Sequence, residues 1–389
     1  MSDLAAVKAA LKTQAVETPS WAYGNSGTRF KVFAQAGVPR TPFEKVDDAA
    51  TVHAFTGVTP AVSLHIPWDR VEGPGGYKSL AVYAEERGLR LGAINSNTFQ
   101  DDAYALGSVC HPDPAVRRKA VDHLLACVDI LDATGSKILK LWFADGTNYP
   151  GQDDIRERQD RLSEALRAVY ARLGDDQRML LEYKFFEPAF YATDVPDWGT
   201  AYAHCLKLGP KAQVVVDTGH HAPGTNIEFI VASLLREGKL GAFDFNSRFY
   251  ADDDLMAGAA DPFQLFRIMY EVIRGGGFTP DVAFMLDQCH NIEAKIPAII
   301  RSVMNVQEAT AKALLVDREA LAGAQRSGDV LAANAVLMDA YNTDVRPLLA
   351  EVREELGLDP DPVAAYHRSG LAAKNAQERV GGTQAGWGA

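Results

Sequence analysis

The sequence predicts an α/β protein whose strands close into a (β/α)₈ TIM barrel with a C-terminal helical extension. Three observations carry this. Eight short β-rich runs alternate with longer runs of helical period before residue 290, and such alternation makes βα units with parallel strands. The last four of those runs each carry a carboxylate at or beside their C-terminal end. Beyond Asp287 the pattern becomes helical throughout, rich in Ala, Leu, Glu and Arg.

The eight β-rich runs are Ser20–Gly24, Ala61–Ile66, Arg90–Asn95, Ile138–Trp142, Arg178–Glu182, Gln213–Asp217, Gly241–Phe245 and Val282–Asp287. Helical stretches between them include Pro114–Thr134, Asp154–Leu173, Ile227–Glu237 and Pro262–Arg274. Eight units over roughly 290 residues fit a closed barrel better than an open doubly wound sheet. No GxGxxG follows an early strand, which argues against a dinucleotide fold. Ile292–Arg318, Glu319–Arg326 and Gly328–Glu355 then read as helices. Roughly the last 30 residues, with their Asp-Pro repeats and the end GGTQAGWGA, read as a loose tail. This places a catalytic barrel with an N-terminal helix in 1–290 and a helical extension in 291–389. An extension of this kind either wraps a neighbouring subunit or caps its own barrel, and composition does not separate the two.

The 389 residues suffice for a large core, and the 47% hydrophobic and 23% charged fractions are those of an ordinary globular chain. A net charge of −12 and a pI near 5.3 argue against binding nucleic acid or an anionic membrane, both of which reward basic surfaces. The N-terminal MSDLAAVKAALKTQAVE has no apolar core of a signal peptide, and no run of 18 apolar residues exists. Cys110, Cys127, Cys205 and Cys289 follow no zinc spacing. Reduced thiols and a cytoplasmic location are the expectation.

The chemistry is expected at the strand ends. MLLE ends at Glu182, VVVD at Asp217, AFD at Asp244 and FMLD at Asp287, and the C-terminal lip of a barrel is where active sites are built. One such acid has an ordinary reading as a helix N-cap. Four in succession would repel one another unless protonated or bridged by a cation, and all-oxygen ligands suit a hard ion such as Mn²⁺, Mg²⁺ or Co²⁺. His220, in DTGHHAPGTN, and the DDD run Asp252, Asp253 and Asp254 lie in the loops that follow. They suggest a second metal site, although a solvated loop or helix cap explains DDD equally well. His221 reads as a supporting residue. Further lip segments carry His65, Trp68 and Asp69, then Asn95, Asn97 and Phe99, then Trp142 and Asp145, and finally Lys184. Aromatic walls with hydrogen-bonding groups suit sugars, and a lysine there can stabilise a substrate oxygen. Taken singly, Trp68 and Trp142 read as core residues.

These segments resemble the L-rhamnose isomerases, specifically the broad-specificity bacterial branch that also interconverts D-allose and D-allulose, related to the xylose isomerases. The resemblance runs nearly end to end. It rests on PSWAYGNSGTRF, FEKVDDA, VSLHIPWD, NSNTF, GSKILKLWFADGTNYPGQ, EYKFFEPAFYATDVPDWGT, DTGHHAPGTNIE, DDDLMAGA, DQCHN, ALLVDREALAG and TDVRPLLAE. It implies a barrel enzyme with two divalent metal ions per subunit, Mn²⁺ before Co²⁺ or Mg²⁺, acting on a small-molecule sugar as a homotetramer or homodimer. It further implies that Glu182, Asp217, Asp244 and Asp287 hold the first metal, and that His220, Asp252 and Asp254 hold the second. His65, Trp68, Trp142 and Lys184 would line the sugar pocket. Phe30 would sit in a lid over it, and Phe99 resembles an aromatic given to a neighbouring subunit's site.

The chain departs from the pattern in three places. Asp244 stands where the family has His, and Cys289 where it has Ser. NSRFYADDD replaces a more polar FNDSKYGDDD-like stretch, and the loop after Asn97–Phe99 is shorter. The reaction this implies is an aldose–ketose isomerisation by hydride shift between C1 and C2. Lys184 would steady charge on O1 or O2, Cys289 would touch substrate or its water, and His65 with Asp69 would assist ring opening. His220 and Asp252 would act with the second metal. A route through a cis-enediol, a ketose 3-epimerase and a non-catalytic sugar- or metal-binding barrel are the rival readings.

Overall fold

The computed structural model describes residues 3–25, 32–186, 192–250, 252–276 and 279–380. Eight parallel strands form a closed barrel: β1 (Glu17–Pro19), β2 (Ala61–Ile66), β3 (Arg90–Ser96), β4 (Ile138–Leu141), β5 (Arg178–Glu182), β6 (Ala212–Asp217), β7 (Leu240–Phe245) and β8 (Ala283–Leu286). They pair in chain order, and Glu17 beside Met285 closes β1 onto β8. The helices between and after them are Pro42–Thr56, Gly76–Glu85, Pro114–Thr134, Ile155–Arg172, Trp198–Leu208, Ile227–Arg236, Pro262–Arg274 and Lys295–Leu314. Their starts follow local chemistry. Thr41, Asp113, Asp154, Asp197, Asn226 and Asp261 each accept a hydrogen bond from a first-turn N–H, and Pro42, Pro114 and Pro262 occupy first-turn positions where no N–H is needed.

Strand side chains alternate, so period two decides what faces the barrel axis. Ala93, Leu180, Val215, Ala242 and Met285 pack together as one apolar layer inside the barrel, with Ile138 against it. Two residues further along the same strands come Asn95, Lys140, Glu182, Asp217, Asp244 and Asp287. The lip of the barrel is therefore polar because each strand repeats one register step. Lower down, the Glu17 carboxylate accepts from Ala93 N at 2.7 Å. It lies where a β-carbon on Gly92 would come within 2.1 Å of it, so that strand position needs glycine.

Seven strands lie within one residue of expectation at either end. The first does not. Its pairing segment is Glu17–Pro19, set against Ala61–Ser63, and Ser20–Tyr23 is a 3₁₀ turn. The apolar Trp-Ala-Tyr run imitates a strand, but Trp21 turns towards the lip, where its Nε1 donates to Asp287. The helix expected over Gly328–Glu355 is two, Val330–Asn342 and Arg346–Glu355. The chain leaves helical geometry at Thr343, and Pro347 sits in the first turn of the second.

The expected loose tail is ordered as far as residue 380. Helices Pro362–Ser369 and Leu371–Glu378 follow the Asp361 cap, Tyr366 packs edge-on to Phe55, and Arg379 grips Asp48 with two 2.8 Å bonds. The N-terminal helix Leu4–Lys12 packs with the extension: Val7, Leu11, Ala311, Val345, Leu349 and Val352 form one cluster. Much of the extension thus covers its own barrel. Among the described residues, no helix is long and apolar enough to cross a membrane.

Candidate active site

The lip forms a half-open pocket lined by Trp21, His65, Trp68, Asn95, Ser96, Phe99, Lys140, Trp142, Glu182, Lys184, His220, Asp252, Asp254 and Asp287. Sequence reasoning had singled out most of these as metal, catalytic or substrate residues, and the fold brings them together. Asp217 and Asp244 lie at its floor, both fully buried. Ligand atoms of Glu182, Asp217, Asp244 and Asp287 fall within 4.8 Å of one another.

A divalent ion fits this cluster on two grounds. Its donors are all carboxylate oxygens, the set that hard cations prefer. In addition, Asp244 Oδ1 is buried with no hydrogen-bond partner among the described residues, an expensive arrangement unless something binds there. Asp217 is oriented from its other side by Gly219 N at 2.6 Å and Asn246 Nδ2 at 3.0 Å. A β-carbon at Gly219 would come within 2.7 Å of Asn246 Oδ1, so the close approach requires glycine.

His220 joins the two halves of the site. Its Nδ1 lies 3.1 Å from Glu182 and its Nε2 3.3 Å from Asp252. Within 4.8 Å it groups with Glu182 and Asp217 rather than with both Asp252 and Asp254, the set implied by resemblance. One Asp252 oxygen is instead taken by Lys184 Nζ at 2.7 Å. Asp254 adopts a φ of +48°, and its carbonyl accepts from Cys289 N. Cys289 Sγ donates to Trp21 O, and Cys289 is not among the residues that line the pocket.

Electrostatics follow the geometry. Burial, with Glu182, Asp252 and Asp287 nearby, pushes Asp217 up to about 7 against the pull of His220. Burial raises Asp287 and lifts Asp244 and Asp254 well above the carboxylate range. Burial opposes charge on Glu182 too, but Lys140 and His220 hold it below its ordinary value. Lys184 and His220 likewise overcome burial to hold Asp252 well below. His220 is lifted well above the histidine range by Asp217 and Asp252 although burial opposes it. The site thus carries more carboxylates than it can leave charged without a cation.

The aromatic wall is built around His65. Its ring stacks on Trp68 at 3.7 Å and meets Trp21 edge-on at 5.4 Å. Burial, then Lys140 and Lys45, push His65 well below the histidine range, so it is neutral. Asp69 does not serve the imidazole as expected. It accepts from the His65 backbone N, Ser20 Oγ and Lys45 Nζ, which fixes the bend after β2. Asp145 is also structural, accepting from Ser108 and Cys110. Asn97 forms a local turn with Phe99 and Gln100. His221 supports the site: its Nε2 meets Tyr183 Oη at 2.6 Å, and burial depresses it to about 3. Phe99 packs edge-on to Trp142 at 4.8 Å and lines its own chain's pocket. Phe30 lies outside the described residues.

Three lining residues, Trp21, Ser96 and Lys140, are not marked out by the sequence pattern. Trp21 was hidden in an apparent strand. Lys140 sits inside the apolar run ILKL; only its register, two residues past Ile138 and level with the acids, gives it away.

The region 48–292 matches the family model described as Xylose isomerase-like TIM barrel. A probable sugar isomerase of Rhizobium meliloti (strain 1021) is 47% identical over 387 residues, covering 97% of this chain and 89% of that protein. Another, from Mesorhizobium japonicum, is 46% identical over 384 residues, covering 96% of this chain and 88% of that protein. Among solved structures, an L-ribulose 3-epimerase superposes with a TM-score of 0.55 at 13% identity, over 82% of this chain and 98% of that one, a likeness of fold alone. With the family match spanning the β2–β8 region and near-full-length relatives this similar, the chain belongs to the xylose isomerase-like TIM barrel family.

Proposed function

We propose that this protein is a metal-dependent aldose–ketose isomerase of the L-rhamnose isomerase type, interconverting L-rhamnose with L-rhamnulose and D-allose with D-allulose. The observation that carries the reading is the joining of a four-carboxylate cluster to an aromatic-walled cavity in which Lys184 and His220 face Asp252. The near-full-length relatives named probable sugar isomerases support it. Glu182, Asp217, Asp244 and Asp287 would hold one divalent ion, and His220, Asp252 and Asp254 a second, with Mn²⁺ the expected metal. Bound there, the ions would supply Lewis-acid polarisation of the sugar's oxygens.

The chain's own groups account for the rest. Trp142 Nε1, Asn95 Oδ1 and Ser96 Oγ are buried without partners among the described residues and belong to residues that line the pocket, so they pair with hydroxyls. Lys184 Nζ, 5.1 Å above the Trp142 ring, donates to O1 or O2 as negative charge grows there. His65, neutral and with Nδ1 unpartnered among the described residues, accepts the anomeric hydroxyl proton and returns it to the ring oxygen as the ring opens. Trp68, stacked on His65, and Phe99, edge-on to both, exclude water from the carbon face. The hydrogen on C2 then moves to C1 with its electron pair, while a proton passes from O2 to O1. No side chain has to act as base at carbon. A cytoplasmic homotetramer or homodimer completes the proposal.

The test is a screen of aldoses and ketoses with chelator-treated protein reloaded with Mn²⁺, Co²⁺ or Mg²⁺. Substrate deuterated at C2 should retain its label in the product. Absence of turnover with every sugar and metal would defeat the reading and leave a binding protein. Deuterium uptake at C3 from D₂O would mean a ketose 3-epimerase, and washout of the C2 label an enediol route.

A further inference from the structure

Lys140 is a buried cation set among the proposed metal ligands. Its side chain, 5% exposed, donates to Asp244 Oδ2 and lies 3.7 Å from Glu182 Oε2. On its other side is the Trp21 ring, 5.5 Å from Nζ, and Trp21 Nε1 in turn holds Asp287. A lysine is almost never fully buried without a partner, and this one is surrounded by the four-acid cluster. Asp244 is divided by the contact: Oδ2 faces the ammonium, while Oδ1 has no partner among the described residues.

We propose that Lys140 is the resident counter-cation of the acid cluster, a positioning residue that turns one oxygen of Asp244 towards the metal and limits how tightly the metal binds. This rests on the metal reading above. The argument is one of charge and reach. The ammonium leaves the cluster one unit less negative than its four acids alone, so the metal-free fold tolerates them. The same positive charge repels an arriving divalent ion across a short, dry distance, where unit charges interact strongly. By occupying Oδ2, it also restricts Asp244 to offering a single oxygen.

The experiment uses the chelator-treated full chain and Mn²⁺ as probe, with affinity and stoichiometry read by calorimetry and metal-free stability by thermal unfolding. The variants are Lys140→Met, Asp244→Asn and the double substitution. If charge governs, Lys140→Met binds Mn²⁺ at least about tenfold more tightly than wild type and melts lower without metal. Asp244→Asn binds most weakly of the four proteins, and the double variant returns towards wild type. Should Lys140→Met not fold, the recovery of Asp244→Asn by the second substitution still decides. Wild type binding Mn²⁺ with Lys140→Met no tighter, or no recovery in the double variant, overturns the proposal and leaves the metal reading intact. If none of the four binds Mn²⁺, both fall.

Discussion

Raising the pH of the metal-free protein from 5 to 8 is expected to destabilise it, and saturating Mn²⁺ to suppress the loss. Asp217 has a folded pKa of about 7 against an ordinary value of 3.8. Between those values the folded chain holds a proton that the unfolded chain releases, so stability falls as pH rises. The whole shift is worth about 4 kcal/mol, of which about 2 kcal/mol falls between pH 5 and 7. Asp244, Asp254 and Asp287 are raised in the same direction. His220, also raised, adds a loss above its unfolded value of 6.5. Glu182 and Asp252 are lowered from 4.5 and 3.8, so their stabilising contribution is lost only as pH falls below this range. An ion that binds the folded cluster replaces the missing protons and adds about 2.7 kcal/mol at a hundred times its Kd. The assay is urea unfolding at pH 5, 6, 7 and 8, in chelator and in excess Mn²⁺. The gap between the two series should widen with pH. Equal stability of the metal-free protein at pH 5 and pH 8 would refute the reasoning.

Lys184→Met removes an ammonium that reaches both Asp252 and the Trp142 face; kcat should fall by about 10²- to 10³-fold with a smaller change in KM, measured on the best sugar from the screen. Trp142→Phe keeps the ring wall but deletes the Nε1–H, which has no partner among the described residues. It should raise KM by about tenfold, the loss of one hydrogen bond to a hydroxyl, with thermal stability unchanged. Arg379→Met leaves the buried Asp48 carboxylate without its two bonds. It should cost about 3–5 kcal/mol by denaturant unfolding, most of it recovered by adding Asp48→Asn.

The barrel could be read from the sequence because its signals are local and repeated. Helix caps at Asp113, Asp154, Asn226 and Asp261 stand in the text of the chain, and strands such as VVVD announce both burial and the acid at the lip. Failure came where tertiary partners override local pattern. Ser20–Tyr23 has strand-like composition, but Trp21 is needed at Asp287. The tail after residue 360 has turn-like composition, yet Tyr366 and Arg379 pair with Phe55 and Asp48 on a helix more than 300 residues earlier. Asp69 and Asp145 look like site acids in one dimension, but Asp69 is consumed by His65 N, Ser20 Oγ and Lys45 Nζ and Asp145 by Ser108 and Cys110.

Lys140 is a different kind of omission, because the information was present. Counting acids at strand ends treats each strand alone, and by that count the lip carries four negative charges and nothing to offset them but a metal. Counting by level around the barrel compares residues two steps beyond the same inner apolar layer. At that level β4 contributes an ammonium between the carboxylates of β5 and β7. Asp244 and Lys140 then form one unit, an added acid and the base that offsets it. It follows that exchanging Asp244 for the histidine expected by resemblance is not a single substitution. Alone it leaves Lys140 buried without its carboxylate, beside a site meant for a divalent cation. The ligand swap becomes neutral in charge only when Lys140 is replaced as well.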